Sequence, residues 1–209
     1  MRAKRISLRV SNSGDGVSLT IPGTIPITQA IDFARQKEPW LRKALARTVP
    51  PVIPEIGGTL RFEGRDLVIA RNSGGKVRVT GDRIEVPGRP AELGVRLRKF
   101  FEFSARARFG QASVQYAEIL GRTIGRISIR DPKSRWGSCA ATGNLMYSWR
   151  LILAPPVVLD YVAAHEVAHL AELNHSPEYW AIVAGLMPDF QTHRRWLRTN
   201  GASLHALRI

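Results

Sequence analysis

Residues 157–170 read VVLDYVAAHEVAHL, an apolar stretch with few polar side chains. Its length and composition predict an α-helix that begins near Pro156 and is largely buried. His165 and His169 are four positions apart, so on a helix they differ by about 40° around the axis and about 6 Å along it. Both imidazoles are therefore expected on the same face of the helix.

This face is suited to binding a metal ion. Two imidazole nitrogens that point the same way can coordinate one tetrahedral Zn²⁺ at ~2.0–2.1 Å each. Glu166 is rotated away from the shared face, so it need not be a ligand, but it can reach a water at the open coordination position and accept its proton. The spacing therefore predicts a catalytic zinc site with His165 and His169 as ligands and Glu166 as the catalytic base.

A third ligand must come from beyond this part of the helix. On an unbroken helix His175 would lie ~9 Å further along the axis, on the far side. Asn174 is a credible left-handed residue at a helix end, and Ser176 followed by Pro177 is typical of a new helix start. A bend here would turn His175 back toward the metal, so we predict it as the third ligand. Glu172 competes with it, but its position favours a supporting role.

Residues 1–88 are predicted to be mainly β-structure with one helical region. Alternating runs between Gly- and Asn-rich turns predict six strands, at 6–10, 17–21, 59–62, 66–70, 77–80 and 83–86. Thr28 is a candidate helix cap, and Pro39 is expected to break the helix that follows it. The segment 87–90, which contains two prolines and a glycine, is expected to separate this β-rich lobe from the rest of the chain.

Residues 89–209 are predicted to contain a small sheet and several helices around the histidine-bearing helix. Helical periodicity runs from 91 to about 120, with Gly110 as a point where it can be interrupted. A strand is expected at 124–130 and a hairpin at 134–139 and 145–151. Two more helices are expected, one from Ser176 and one from about 189 to 199. The fold class is therefore α+β.

The chain resembles the YgjP-like metallopeptidases, which are related to SprT and to the minimal gluzincin zinc peptidases. The resemblance is carried by RDPKSRWGSC at 130–139, WRLI at 149–152, the histidine-bearing helix, NHS at 174–176 and residues 188–197. It implies a zincin-like metallopeptidase domain at 89–209, built from a small sheet and a helix with the HExxH motif.

The same resemblance implies the third ligand, because family members have it at the position of His175. Residues 1–88 resemble the family only in their β-rich character. The histidine spacing is also similar to that of metzincins, but Glu172 stands where metzincins require glycine, and no Met-turn signature follows. We therefore do not assign the chain to the metzincins.

Zincins line their cleft with an edge strand that pairs with extended substrate, and the hairpin 134–150 is the candidate here. Arg135 is predicted to contact substrate, whereas Trp136 is expected to pack beneath the zinc helix and Gly137 is interpreted as structural. Tyr179 is a second candidate for substrate binding. The group that stabilises the oxyanion is left open among four residues: Tyr179, His193, Arg194 and Arg195.

The charge balance is strongly positive, since 31 Lys and Arg residues oppose 17 Asp and Glu residues for a formal charge of +14. Such a field attracts phosphate-rich partners, including nucleic acid and nucleotides. The basic residues are spread along the chain without a Lys/Arg tract, so a solvated basic surface is the favoured interpretation. Binding of nucleic acid or nucleotide is the alternative.

The expected location is the cytoplasm. Cys139 is the only cysteine, which excludes an intramolecular disulfide and suits a reducing compartment. No apolar run approaches the ~20 residues of a membrane span, and no apolar stretch typical of a secretory signal follows the basic N-terminus. No membrane partner is therefore expected.

The favoured function is a zinc metallopeptidase that acts on a peptide or protein substrate. One alternative is a zinc-dependent hydrolase of nucleotides or other phosphoanhydrides. A second is a protease that acts on nucleic-acid-bound targets. A third is a metal-binding structural domain, but Glu166 argues against it, because a structural zinc site needs no carboxylate beside an open position.

Overall fold

The first elements along the chain are a hairpin and two short helices. The computed structural model describes residues 5–10, 16–46 and 49–209. Strands β1 (Ser7–Val10) and β2 (Val17–Thr20) pair antiparallel. Helices α1 (Ile27–Gln36) and α2 (Glu38–Leu45) follow. Pro39 lies in the first turn of α2, so the predicted break at this residue is confirmed. The predicted cap at Thr28 is wrong, because α1 already begins after Pro26.

A four-stranded sheet comes next, with the strand order β3-β4-β6-β5. Its strands lie within one residue of the predicted positions: β3 (Thr59–Phe62), β4 (Arg65–Arg71), β5 (Arg78–Thr80) and β6 (Arg83–Val86). Alternate side chains such as Leu67 and Ile69 are buried, while their neighbours face solvent. The predicted strands are therefore confirmed, and the period of two gives the sheet one buried face.

A long helix crosses the molecule between this sheet and the next one. Helix α3 (Leu93–Ile119) runs unbroken through Gly110, because no neighbouring side chain fills the space around that glycine and nothing forces a kink there. Its buried side includes Leu97, Phe101 and Phe109. The helix joins the side chains of both sheets in one hydrophobic cluster.

The second sheet has three strands in the order β7-β9-β8. Strands β7 (Ile127–Arg130) and β9 (Leu145–Ser148) are parallel, and β8 (Gly137–Cys139) is antiparallel to β9. The predicted hairpin is therefore confirmed, but its second strand is shorter than expected. It ends because the chain enters a 3₁₀ helix, Trp149–Leu153, whose start is capped by the side chain of Ser148.

Three helices complete the chain: α4 (Pro156–Ala168), α5 (Pro177–Leu186) and α6 (Phe190–Leu204). The last ends at Leu204, five residues later than predicted. The architecture is mixed α+β, and the division at residue 88 into two domains stays a prediction. No helix among the described residues combines the length and the apolar character that crossing a membrane requires.

Candidate metal centre

Helix α4 presents His165 and Glu166 in its last turn and ends sooner than predicted. Its final residue is Ala168, and His169 is the C-cap. The backbone then tightens, with the Leu170 N–H bonded to the Val167 carbonyl at 2.9 Å. The expected end near Asn174 is therefore wrong. The left-handed conformation expected for Asn174 is also wrong, because Glu63 is the non-glycine residue with positive φ in the described part of the chain.

The segment after α4 is held in a turn by Glu172. The His169 Nδ1–H donates to the Glu172 carbonyl at 3.0 Å, and a Glu172 carboxylate oxygen accepts the Asn174 N–H at 3.0 Å. Ser176 then caps α5 by accepting the Tyr179 N–H at 3.3 Å, as the sequence predicted for a new helix start. This turn and cap place His175 between the two helices, facing α4.

The three histidines converge on one point. Ligand-type nitrogens of His165, His169 and His175 all lie within 4.8 Å of one another. The Nε2 atoms of His165 and His175 are 3.3 Å apart. Two nitrogens at ~2.0–2.1 Å from a tetrahedral ion lie ~3.3 Å apart, so this pair already has the spacing of two zinc ligands. The donor set therefore fits a metal ion of that geometry.

The hydroxyl of Tyr179 determines which ring nitrogen of His165 keeps a lone pair that can bind a metal ion. Its hydroxyl donates to the His165 carbonyl at 2.8 Å, and the same oxygen lies 2.7 Å from His165 Nδ1. Since the hydroxyl has one proton, already given to the carbonyl, Nδ1 must be the donor of the second bond. His165 Nε2 is then left with its lone pair toward the other histidines. In the same way, the carbonyl of Glu172 fixes Nδ1–H on His169 and frees its Nε2.

The surroundings of His165 and His169 keep these two side chains neutral, the form that binds metal. Burial, together with the nearby His169, His175 and Arg194, lowers the pKa of His165 to about 3. Burial also lowers the pKa of His169, against the opposing effect of its bond to the Glu172 carbonyl. Bare imidazole nitrogens are therefore present at neutral pH.

The side chain of Glu166 extends from α4 toward strand β8. It is only 5% exposed, and burial raises its pKa to about 8, with Arg135 acting in the opposite direction. A Cβ atom on Gly137 would fall 2.5 Å from the Glu166 Oε1 atom and 2.6 Å from its Cγ atom. Strand β8 can therefore approach the carboxylate this closely only because residue 137 is glycine.

The sequence also suggested residues for contact with substrate or with the oxyanion, and four of them lie in different surroundings. Arg135 is exposed and near enough to Glu166 to affect its pKa. Tyr179 is fully buried behind His165, a position that does not suit contact with substrate. His193, one of the candidates for stabilising the oxyanion, is buried and bonded to Asp189 at 2.9 Å. Arg194 lies over the Trp180 ring, 4.4 Å from its centroid.

Trp136 and Cys139, two residues of the stretch WGSC at 136–139, lie in positions that suit a structural role. Trp136 was expected beneath the zinc helix, and its indole lies against α6, stacked on His205 with a centroid distance of 4.8 Å. A Cβ on Gly201 would be 3.0 Å from the same indole. His205 is buried. Cys139 is half-buried and burial raises its pKa, which does not suit a nucleophile.

A groove of about 480 Å³ opens beside His169. Its walls are the turn 140–143, the segment 122–123 before β7 and residues 169–173 after α4. The groove therefore runs along one side of the histidine cluster, and it provides space next to the candidate metal site.

One comparison with known proteins gives a match over nearly the whole chain. The family model described as YgjP-like, metallopeptidase domain, matches residues 4–200. The match includes the four-stranded sheet, which the sequence had linked to the family only by its β-rich character. No curated protein shows significant similarity to the chain.

Proposed function

Because the chain belongs to the YgjP-like metallopeptidase family, we propose that it is a zinc-dependent peptidase with Glu166 as its general base. The observation that carries the proposal is the convergence of three imidazole nitrogens beside a buried carboxylate and an edge strand. We propose His165, His169 and His175 as the ligands. A three-nitrogen site with an open position is typical of catalytic zinc.

The choice of zinc follows from the donor atoms. Imidazole nitrogen suits Zn²⁺, whereas Mg²⁺ and Ca²⁺ prefer oxygen ligands. When bound, the ion supplies a Lewis acid that polarises the scissile carbonyl and makes a water easier to deprotonate. A positive charge at the histidines also favours the ionised form of Glu166, against the effect of burial.

In the proposed reaction Glu166 transfers a proton and strand β8 positions the substrate. The Glu166 carboxylate accepts the proton of the attacking water and passes it to the nitrogen of the leaving amine. Strand β8 is at an edge of its sheet, so its outer N–H and C=O groups can pair with an extended peptide. That pairing would hold the scissile bond alongside Glu166, which β8 touches at Gly137.

The nucleotide hydrolase and the nucleic-acid-associated protease stay as alternatives that rest on the charge of +14. Both would use the same histidines and Glu166, and they differ from the favoured function in the substrate or partner bound. We also propose a cytoplasmic location, which the lone Cys139 supports.

The proposal is tested with purified wild-type protein and the Glu166→Gln variant. Glutamine keeps the shape of the side chain but cannot accept the proton, so zinc content should stay at one ion per chain while turnover falls by about 10²–10⁴-fold. Both proteins are assayed against a peptide library and against nucleotides. Loss of zinc from the variant would make Glu166 a ligand, and turnover of nucleotides alone would replace the peptidase by the phosphoanhydride hydrolase.

A further inference from the structure

Two exposed arginines border the candidate metal site without a carboxylate partner. Within the described ranges, neither Arg135 nor Arg194 has an acidic group within the 4.0 Å of an ion pair. This contrasts with the long helix α3, where Arg96, Arg98 and Arg108 each have an acidic partner. In the described part of the chain, neither arginine is therefore held in an ion pair by a carboxylate of the protein.

Arg194 is held in place by an aromatic ring that itself lies against the histidines. Its guanidinium carbon is 4.4 Å from the Trp180 ring centroid. The Trp180 ring is 5.7 Å from the His175 ring and 5.8 Å from the His165 ring. The cation–π contact leaves the N–H groups of the guanidinium free to bind an anion. Arg194 is thus a pre-positioned cation on the α5–α6 side of the site.

Arg135 lies just before strand β8, the other element that borders the site. It lies two residues before Gly137, where β8 touches Glu166. Its side chain is exposed, so the guanidinium is available to a ligand that lies along β8. An extended peptide paired with β8 would pass close to this arginine.

With a metal ion bound, the site would carry an excess of positive charge that an anion could offset. Imidazole ligands are neutral, so in the proposed peptidase the carboxylates of Glu166 and of the neighbouring Glu172 would face a divalent ion and two arginines. Like charges held close together raise the free energy of the site, and an anionic group on the ligand would lower it. Both arginines are exposed, so an anion that binds them comes from outside the protein, which points to the substrate.

We propose that Arg135 and Arg194 bind carboxylates of the substrate, so that the enzyme selects peptides with acidic residues next to the scissile bond. The inference rests on the proposed function and adds the substrate class. The carboxylate can belong to a Glu or Asp side chain or to the C-terminus of a short peptide. Both present the same planar pair of oxygens, which a guanidinium binds with two hydrogen bonds.

The test uses peptides that differ only in charge. Each pair has Glu or Gln on either side of one cleavable bond, in amidated and free-acid forms. The wild-type protein should show a kcat/KM at least about tenfold higher for Glu, the size expected for a charge-assisted hydrogen bond. In Arg135→Gln and in Arg194→Gln this ratio should fall toward one, mainly through KM. Arg194→Glu should shift the preference to peptides with Lys.

Arg198→Gln is the matched control, because it removes the same charge one turn further along α6 and should leave the ratio unchanged. Zinc content and thermal unfolding of every variant show whether the fold and site are intact. Faster cleavage of the free-acid than of the amidated peptides, with no difference between Glu and Gln, would assign the arginines to a terminal carboxylate. Equal kcat/KM for Glu and Gln peptides in the wild type, with no difference between free-acid and amidated forms, would overturn the inference while leaving the peptidase proposal intact.

Two further results separate the inference from its alternatives. If single-stranded DNA inhibits the wild type but not the arginine variants, and Glu gives no advantage, the arginines serve nucleic acid and the inference is wrong. If no peptide is cleaved, the peptidase proposal fails, and binding of the labelled Glu and Gln peptides to the zinc-loaded protein decides the inference by itself. Equal affinities would then refute it.

Discussion

The hydroxyl of Tyr179 is shared between two groups of His165, the backbone carbonyl and the Nδ1–H. We expect Tyr179→Phe to lower zinc affinity by about 10–100-fold, the usual effect of losing a hydrogen bond that orients a metal-bound histidine. The phenyl ring preserves the packing, so the fold should be unchanged. Competition with a chromophoric chelator measures the affinity.

Tyr161→Phe is the matched control for this experiment. The Tyr161 ring is also buried and lies 5.9 Å from the His165 ring, and within the part of the chain that the structure describes its hydroxyl makes no hydrogen bond to the protein. It should therefore keep the zinc affinity of the wild type. An unchanged affinity in Tyr179→Phe as well would show that the tautomer of His165 does not depend on the hydroxyl.

A single methyl group at residue 137 is expected to disturb the proposed general base, Glu166, without affecting the proposed metal ligands. Because a Cβ would lie 2.6 Å from the Glu166 Cγ atom, Gly137→Ala must displace either β8 or the carboxylate. A misplacement of about 1 Å costs about 10²-fold in rate, so turnover should fall by that order while zinc content is unchanged. Parallel assays of peptide hydrolysis and bound zinc measure both effects.

Gly185→Ala is the control, since no atom lies within 4 Å of the added Cβ in α5. It should retain activity. If Gly137→Ala were fully active, the contact between β8 and Glu166 would not matter for catalysis.

Residue spacing predicted the histidines and Glu166, but it could not predict their supporting contacts. The i, i+4 pair is a property of one helix and is visible in the sequence. The bond from Tyr179 to His165 joins two helices, and Tyr179 was accordingly interpreted as a substrate residue. Gly137 has an unremarkable sequence context, and its role depends on how closely β8 and α4 pack.

At the scale of elements, the break between α4 and α5 decides where His175 lies. We expected a left-handed Asn174 to end the helix, but α4 has already ended six residues earlier, through a turn that Glu172 holds. Replacing Asn174 and Pro177 would therefore not extend α4. The cap at Ser176 is the feature that ties His175 to the start of α5.

We predict that Ser176→Ala weakens both the fold and the metal site. Losing an N-cap side chain costs about 0.5–2 kcal/mol of stability. Zinc affinity should fall as well, because the residue next to the cap is the proposed ligand His175. Calorimetric unfolding without zinc and chelator competition with zinc measure the two effects, and Ser176→Asp, which keeps an acceptor, should restore both. Reduced stability with normal zinc affinity would separate the cap from the ligand.

The elements that follow from local pattern were predicted closely, and those that depend on contacts between distant segments were not. The strands between 59 and 86 alternate strictly and lie within one residue of prediction. The strand expected to reach Leu151 instead ends at Ser148, because Trp149 is buried and the chain turns into the 3₁₀ helix. Tertiary burial overrides the local β-propensity there.

At the scale of the whole molecule, the excess positive charge is distributed unevenly. Part of the positive charge on α3 is neutralised, since Arg96, Arg98 and Arg108 face Glu92, Glu102 and Glu63. A count of Lys and Arg cannot show this pairing. The net charge alone is therefore a weak argument for binding of nucleic acid. The positions of the arginines without acidic partners say more about which anionic groups the protein can bind.

Arg150 joins three distant parts of the chain. Its guanidinium bonds both carboxylate oxygens of Asp131, at 2.6 and 3.1 Å, and donates to the carbonyls of Leu204 and Leu207 at 3.0 and 2.9 Å. The segment after β7, the 3₁₀ helix and the end of α6 are thereby connected. Arg150 is also buried, so losing its partner would leave a charge uncompensated.

The pH dependence of stability should reveal this pair. Burial raises the pKa of Asp131, but the hydrogen bond and charge of Arg150 outweigh it and hold the pKa below the ordinary 3.8. A carboxyl whose pKa is lower in the folded state stabilises the fold above its unfolded pKa and loses this effect as the pH falls through its folded pKa. Asp131→Asn should therefore cost about 1–3 kcal/mol at pH 7 and at pH 5, and less below about pH 4.

Urea unfolding of both proteins across this pH range measures the difference. Asp32→Asn is the control, because Asp32 and Arg35 form an exposed pair that should contribute little at any pH. If the difference between wild type and Asp131→Asn stayed constant into acid, the stabilisation would come from hydrogen-bond geometry, because protonation of the carboxyl would then have no effect. A difference that fades in acid would identify the charge of Asp131 as the stabilising feature that holds the end of α6 against the sheet beside the metal centre.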